Sequence, residues 1–150
     1  MANPFPFVAG DVLTAAELNG IGEYTAYTPT FNNLTVGNGT LNFKFAQVNE
    51  FVHVVGILTF GSTTSITGVP NFTFPVVEED FPQIFQGFAT LSDANINDYL
   101  GFVYRASSEN RLLTMNVAGT YPAGAYVGST VPFTWVTGDA IRVNIIYKAA

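Results

Sequence analysis

The chain has 150 residues and a formal net charge of −6, with 48% hydrophobic and only 11% charged residues. An average soluble domain carries roughly 25% charged residues. This composition excludes a disordered chain, which would combine low hydrophobicity with high charge density. It also disfavours coiled coils and helical bundles, which are rich in Glu, Lys and Arg. The 14 Gly, 8 Pro and 14 Phe residues instead predict an all-β fold of short strands and tight turns.

The N-terminal residues 1–23 differ in character from the rest and are predicted to form an attachment arm with a short helix. Thr14 and Glu17 have the spacing of a capping box at a helix start, and Asn19-Gly20 would end the helix after one or two turns. So short a helix is not stable alone in water and must dock on another surface. The apolar side chains expected to attach the arm to a larger particle are Phe5, Phe7, Val12, Leu13 and Leu18.

Residues 24–150 are predicted to form one β domain, because short apolar runs alternate with clusters of turn-forming residues. Alternation of apolar and polar residues is clearest in the runs at 39–48 and 140–148. Asn49-Glu50 has the length of a two-residue hairpin loop. The expected architecture is an antiparallel, jelly-roll-like β-sandwich. Nine strands are predicted, at 24–31, 39–48, 51–60, 71–76, 84–91, 99–105, 111–117, 130–136 and 140–148.

The five basic residues are spread along the chain and form no basic stripe. Neither nucleic acid nor a membrane is therefore expected as a partner, because nucleic acid and anionic lipid are bound largely through Lys and Arg. No apolar run reaches the roughly 20 residues of a transmembrane helix, and the start of the sequence does not resemble a signal peptide. The chain has no Cys, which excludes disulfides and thiolate metal sites. No cofactor and no metal are expected.

The search for catalytic residues gives weak candidates. His53, the single histidine, lies in an apolar strand, which favours a packed or hydrogen-bonded structural role. Glu78-Glu79-Asp80 is an acidic cluster that could hold a cation or simply be solvated. A glycoside hydrolase would need two carboxylates, and the pairs available are Asp93 with Asp98 and Glu109 with Asp139.

Two tyrosines in a loop-like stretch, Tyr121 and Tyr126, are the candidate receptor or subunit contact. A tyrosine offers a large contact area with little conformational freedom to lose. Its ring can stack on the face of a sugar or pack at the rim of an oligomer. The low charge of the whole chain also predicts assembly, because apolar strand faces then need to be covered by identical chains or by a larger particle.

Three groups of segments carry a resemblance through their order and spacing. They are AGDVLTAAELN at 9–19; YTPTF at 27–31 with GNGTL at 37–41, VHV at 52–54 and LTFGSTT at 58–64; and VPFTWVTGD at 131–139 before the last strand. Together they resemble small tailed-bacteriophage virion-surface proteins of the minor tail, tail-fibre or head-decoration type. The resemblance implies a non-enzymatic virion component that is trimeric, with a β-sandwich body and an N-terminal arm that attaches it to the particle.

The expected function is therefore that of a tail-fibre or receptor-binding tip domain, made in the host cytoplasm and carried in the virion. Its expected partners are two further copies of itself in a homotrimer, other tail or capsid proteins, and a host cell-surface glycan. One alternative is a capsid decoration (cement) or head-fibre protein. A more distant alternative is a carbohydrate-active hydrolase.

Overall fold

The computed structural model describes residues 10, 12, 14, 15, 20–79, 85–106, 109–116 and 123–150 of the chain. This part of the protein is almost entirely β-structure, which confirms the predicted all-β class. Its strands are β1 Thr25–Tyr27, β2 Phe31–Thr35, β3 Thr40–Val48, β4 Phe51–Thr59, β5 Ser65–Phe72, β6 Phe85–Asp93, β7 Asn97–Ala106, β8 Glu109–Asn116, β9 Ala123–Tyr126 and β10 Ala140–Lys148.

The ten strands form one antiparallel sheet in the order β1-β3-β4-β10-β6-β7-β8-β5-β2, with β9 paired beside β8. β1 and β2 are consecutive in the chain but lie at opposite ends of this order, so the sheet must curl to bring its two edges together. The rings of Phe31 on β2 and Phe43 on β3 accordingly meet, with their centroids 6.2 Å apart. The architecture is a curled, half-barrel sheet. The division into two sheets that a jelly-roll-like sandwich would have is not confirmed, because hydrogen bonds join all ten strands into one sheet.

The hydrophobic core fills the concave inner face of the sheet. Val52, Val54 and Leu58 of β4 are fully buried there, together with Ile145 of β10. Each buried side chain of this size contributes about 1.5–3 kcal/mol relative to exposure in water. The polar residues between the core residues of β10 are exposed on the convex outer face, which confirms the predicted alternation.

The strands with the clearest sequence pattern are confirmed. The predictions at 39–48, 51–60 and 140–148 agree with β3, β4 and β10 to within one residue. Val48 pairs with Phe51, so Asn49-Glu50 is indeed the two-residue loop of a hairpin. Asn49 has a φ of 53°, a left-handed conformation that Asn adopts more readily than most residues.

The predictions at 84–91, 99–105 and 111–117 overlap β6, β7 and β8, whereas the other three are wrong in whole or in part. Residues 130–136 form turns with a single isolated bridge between Gly128 and Val131, because the aromatic side chains of this segment pack over the end of the core instead of joining the sheet. Trp135 stacks on Phe60 with centroids 4.7 Å apart. The prediction at 71–76 covers only the last two residues of β5, and the one at 24–31 is divided into β1 and β2.

The predicted attachment arm lies largely outside the described residues. Phe5, Phe7, Leu13 and Leu18 belong to the part that is not described, whereas Val12 is 87% exposed. Glu17 of the predicted capping box also lies outside the described residues. In the described part of the chain, no helix has the length and apolar character needed to cross a membrane.

Candidate binding site

A cavity of about 420 Å³ opens at one end of the sheet. Its wall combines strand residues of β2, β5, β7 and β8 with the segment 73–78 that follows β5. The volume lies within the range of roughly 300–1,000 Å³ that is usual for small-molecule sites. The described residues that line it are Asn32, Asn71, Phe72, Thr73, Phe74, Pro75, Val76, Val77, Glu78, Arg105 and Asn110.

The segment 73–79, which forms one side of the cavity, is fixed to the end of β10. The Tyr147 hydroxyl donates to the Val76 carbonyl at 2.9 Å and accepts from the Val76 N–H at 3.3 Å. The Glu79 N–H donates to the Lys148 carbonyl at 2.9 Å, and the Ala150 N–H donates to the Val77 carbonyl at the same distance. These four hydrogen bonds hold the segment in place without requiring it to be a strand of the sheet.

Three asparagines on neighbouring strands line the cavity, Asn32 and Asn71 from one face of the sheet and Asn110 from the other. Asn71 and Asn110 are each only 6% exposed. The Asn32 side-chain N–H donates to Asn71 Oδ1 at 2.9 Å, and that of Asn110 donates to the Phe72 carbonyl at 3.3 Å. Asn110 Oδ1 has no hydrogen-bond partner among the described residues. A buried acceptor left unpaired costs about 1–3 kcal/mol, so stability alone does not explain its presence.

A nearly buried ion pair lies beside the asparagines. Arg105 Nε is 3.3 Å from Glu78 Oε1, and the two side chains are 12% and 13% exposed. Arg105 also donates to the Glu79 carbonyl at 2.8 Å, and Gln86 donates to the other carboxylate oxygen of Glu78. One positive and one negative side chain of the described wall therefore lie in contact.

The acidic cluster noted in the sequence is divided between two such pairs. Glu79 contacts Lys148 Nζ at 2.9 Å, whereas Glu78 pairs with Arg105 and Asp80 lies outside the described residues. Within the described ranges, no group of three His, Cys, Asp or Glu residues is arranged to hold a metal ion.

Aromatic rings support the cavity from the core side. The Phe72 and Phe74 centroids are 5.7 Å apart, and Phe74 stacks on Tyr147 at 4.5 Å. Burial raises the pKa of Tyr147 to about 12. Burial, with a smaller contribution from Tyr147, also raises the pKa of Tyr27, whose hydroxyl has no partner in the described part of the chain.

The convex face carries a second feature, a row of apolar side chains that we call the outer patch: Phe88, Phe102, Leu113 and Tyr126 with the flanking Leu100 and Ile146. Phe88 pairs with Phe102, Phe102 with Leu113, and Leu113 with Tyr126, so the row crosses four neighbouring strands. Phe88 is 63% exposed and Leu100 is 53% exposed. Exposed apolar groups that lie together in this way are typical of a contact surface.

Of the two tyrosines predicted as a receptor or subunit contact, the structure describes one. Tyr126 is 44% exposed and belongs to the outer patch, where its ring lies 6.4 Å from that of Tyr104 and beneath the Arg111 guanidinium. Tyr121 lies outside the described residues. Tyr126 does not line the cavity, so the structure separates this one of the two predicted contact residues from the polar cavity.

Three further residues that the sequence analysis named, His53, Asp139 and Asp98, form hydrogen bonds within the fold. His53 Nδ1 is 2.6 Å from the Tyr24 hydroxyl and its Nε2 is 2.9 Å from Asn144 Oδ1, in keeping with the expected hydrogen-bonded role. Asp139 is fully buried, and its carboxylate accepts from the Ala94 N–H at 2.9 Å and the Val136 N–H at 2.6 Å. Asp98 accepts from the Ser92 hydroxyl.

Sequence reasoning missed the asparagines of the cavity and Arg105. One signal was present, because Asn32, Asn71 and Asn110 all lie within strands, where Asn is disfavoured. Nothing in the sequence, however, indicated that the three positions meet. No family model, curated protein or solved structure matches the chain. Function is therefore inferred from the residues and their geometry.

Proposed function

We propose that this chain is a non-enzymatic bacteriophage virion protein, a tail-fibre or receptor-binding tip domain that contacts the host surface. The observation that carries the proposal is the outer patch. In a domain with so few charged residues, a row of aromatic and aliphatic side chains crosses four strands, with Phe88 and Tyr126 exposed and Phe102 and Leu113 half-buried. Such a row is best explained by a contact with identical chains or with another component of a particle.

The proposal includes a homotrimer with a jelly-roll-like body. In a cyclic trimer each copy presents the same contact to its neighbour, so three outer patches could be covered around one axis. The curled sheet supports the sandwich-like body, because side chains from distant strands face each other across the core. Phe43 of β3 and Phe72 of β5, for example, lie 6.4 Å apart between ring centroids.

The assembly part of the proposal is tested by sedimentation of the purified chain. We expect a trimer for the wild type, and a shift toward monomer for Phe88→Asp, because a carboxylate would have to be buried in the contact. Asn42→Asp adds the same charge to the exposed end of β3 and should leave the trimer intact. A wild-type chain that remains monomeric at high concentration would contradict the proposed assembly.

The proposal that the chain is a virion component is tested on phage particles, which are purified on a density gradient from lysates that contain this chain. We expect mass spectrometry to find the chain in the particle fraction, and gold-labelled antibody to locate it on the tail. Deletion of residues 1–20 should leave the chain in the soluble fraction, because it removes the predicted arm. Recovery of the full chain only among soluble proteins would refute virion membership.

The same outer patch also fits the alternative of a capsid decoration or head-fibre protein, since a shell is another large surface that could cover it. Gold label on the head rather than the tail would favour that alternative. The distant hydrolase alternative has less support, because Asp139 is used for backbone hydrogen bonds and Glu78 is paired with Arg105.

A further inference from the structure

We propose that a groove on the convex face, where β3, β4 and β10 lie side by side, binds an acidic saccharide, that is, a sugar that carries a carboxylate or a phosphate. We call this feature the cationic groove. The side chains that define it are Asn42 and Lys44 of β3, Val55 and Ile57 of β4, and Arg142 of β10. The inference rests on the proposed function, because it names the class of host-surface ligand that a receptor-binding domain would recognise.

The strand register places these five side chains on one face of the sheet. Asn42 pairs with Ile57, which pairs on its other side with Arg142, and Lys44 pairs with Val55. Side chains of directly paired residues project from the same face of a sheet, as do those of residues two positions apart along a strand. A ligand that lies over Val55 and Ile57 is therefore within reach of Lys44 from one side and of Arg142 from the other.

The described part of the chain does not neutralise the two basic residues of the groove. Arg105 and Lys148 each form salt bridges, whereas neither Lys44 nor Arg142 has a carboxylate within salt-bridge distance among the described residues. No acidic side chain of that part of the chain lines the groove either. In a protein whose net charge is −6, this groove is a local site of positive potential that attracts an anionic group.

Arg142 is positioned by a hydrogen bond that leaves most of its donors for a ligand. Its Nη1 donates to Ser92 Oγ at 2.6 Å, and the Ser92 hydroxyl donates in turn to Asp98. A guanidinium carries five N–H donors in a planar fork, and the others have no partner in the described structure. Such a fork matches the two oxygens of a carboxylate or a phosphate, while Lys44 supplies a second positive charge.

The floor of the groove is apolar and rigid. Val55 and Ile57 are half-buried, and their remaining exposed carbon surface suits the C–H groups of a sugar ring. From the core side, the Phe43 ring fills the space beside Gly56, which lies between them. β4 pairs with β3 and β10 along its whole length without a register shift. The site is therefore held by strands rather than loops, which lowers the entropic cost of binding.

The size and chemistry of the groove favour a sugar over other anions. Its volume is about 370 Å³, within the range of roughly 300–1,000 Å³ that small-molecule sites have and much more than a bare inorganic anion fills. The Asn42 side chain adds amide donors and an acceptor for sugar hydroxyls. Two cations are too few for nucleic acid or an anionic membrane, which are bound through many Lys and Arg residues.

The test is an array of carboxylated, phosphorylated and neutral oligosaccharides probed with the purified chain, followed by calorimetric titration of the strongest hit. Inorganic phosphate is titrated as the probe for a bare anion. We expect acidic oligosaccharides to bind, neutral ones of the same backbone to bind at least tenfold more weakly, and inorganic phosphate to bind at least tenfold more weakly. Binding should also weaken as the salt concentration rises, because both cations are exposed to solvent.

Variants assign the binding to the groove. Lys44→Gln and Arg142→Gln should each weaken it roughly fivefold, because each removes one charge–charge contact. Asn42→Asp should weaken it further, because it places a carboxylate in the groove beside Lys44. Lys148→Gln is the matched control, since it removes the same charge from the exposed end of β10, outside the groove. Circular dichroism and thermal melting verify that each variant is folded.

Four results would overturn the inference: no binding of any acidic oligosaccharide, equal binding of neutral ones, equal binding of inorganic phosphate, or equal weakening by Lys44→Gln and Lys148→Gln. Dissociation of the trimer by Lys44→Gln would also overturn it, since the groove would then face an acidic surface of a neighbouring copy. A chain that is found in particles but binds no acidic saccharide refutes only this inference. A chain that binds one but is absent from particles refutes only the proposed virion function.

Discussion

The buried polar groups near the two ends of β10 differ in whether they have hydrogen-bond partners. At its start, which we call the capped end, Asp139 accepts two backbone hydrogen bonds and the Trp135 indole N–H donates to the Gly128 carbonyl at 2.9 Å. At its finish, the cavity end, Asn110 Oδ1 and Gln86 Oε1 are buried without partners among the described residues. Satisfied buried groups stabilise a fold, whereas unsatisfied ones cost free energy and often mark a functional site.

This contrast predicts that polar-to-apolar substitutions have opposite consequences at the two ends. At the capped end they should lower the free energy of unfolding, because they remove hydrogen bonds that the fold uses. At the cavity end, substitutions of the unsatisfied groups Asn110 and Gln86 should be tolerated or even stabilising, because they remove atoms that the fold does not satisfy.

The largest effect is expected for Asp139→Ala. The substitution leaves the N–H groups of Ala94 and Val136 without their acceptor, and the loss of two charge-assisted hydrogen bonds should lower the free energy of unfolding by about 3 kcal/mol. Urea denaturation measures this change. The exposed Asp98 is the control, and Asp98→Ala should change the stability by less than about 0.5 kcal/mol. Similar losses from both variants would show that the capped end is not special.

The pH dependence of stability should come next in size. A tyrosine ionises near pH 10.0 in the unfolded chain, whereas burial raises the pKa of Tyr147 to about 12. Between these values the unfolded chain releases a proton that the folded chain keeps, so stability is full below pH 10 and falls as the pH rises toward 12. Tyr27, whose pKa burial also raises, acts in the same direction. Denaturation at a series of alkaline pH values, with Tyr147→Phe as a variant of shallower slope, measures the effect.

The same two residues allow a matched comparison of one substitution. Tyr147→Phe removes the hydrogen bonds to Val76 and should lower the free energy of unfolding by about 1 kcal/mol. Tyr27→Phe removes a buried hydroxyl that has no partner in the described structure, so the stability should stay the same or rise. Equal losses from the two variants, again by urea denaturation, would contradict the assignment of Tyr27 as unsatisfied.

The smallest change in stability is expected for Asn110→Leu. The variant loses a long hydrogen bond to Phe72 but also the unpaired Oδ1, so the net change should lie between zero and a gain of about 1 kcal/mol. Asn71→Leu is the contrasting variant, because it removes the acceptor of the Asn32 bond and should destabilise the fold. A large loss from Asn110→Leu would mean that its amide is structural.

The capped end also shows what sequence patterns can and cannot predict. β3 and β10 alternate apolar and polar residues, so the side-chain periodicity located them directly, whereas β4 was located as a run that is apolar on both faces. The segment 130–136 contains the same kinds of residue, yet Phe133 and Trp135 pack 4.4 Å apart as a plug over the core. Local composition does not distinguish an aromatic plug from a strand, because the choice depends on the surface against which the rings pack.

The residues at the cavity end could not be predicted from the sequence for a different reason, which is the order of the strands in the sheet. Asn32 and Asn110 are separated by 78 positions in the chain, and they pair with Asn71 and Phe72 only because β5 lies between β2 and β8. Strand order of this kind is fixed by long-range pairing rather than by local propensity. β5 itself was missed, since its sequence contains Gly and Pro, which are rare inside strands.

The central place of β10 has a consequence for how the protein is made. During synthesis β4 and β6 emerge from the ribosome with one long edge each still unpaired, and they remain so until residues 140–148 have been translated. Exposed strand edges invite pairing with other chains. A nascent chain of this protein is therefore vulnerable to aggregation until β10 has been added, and its expression should benefit from slow synthesis and abundant chaperones.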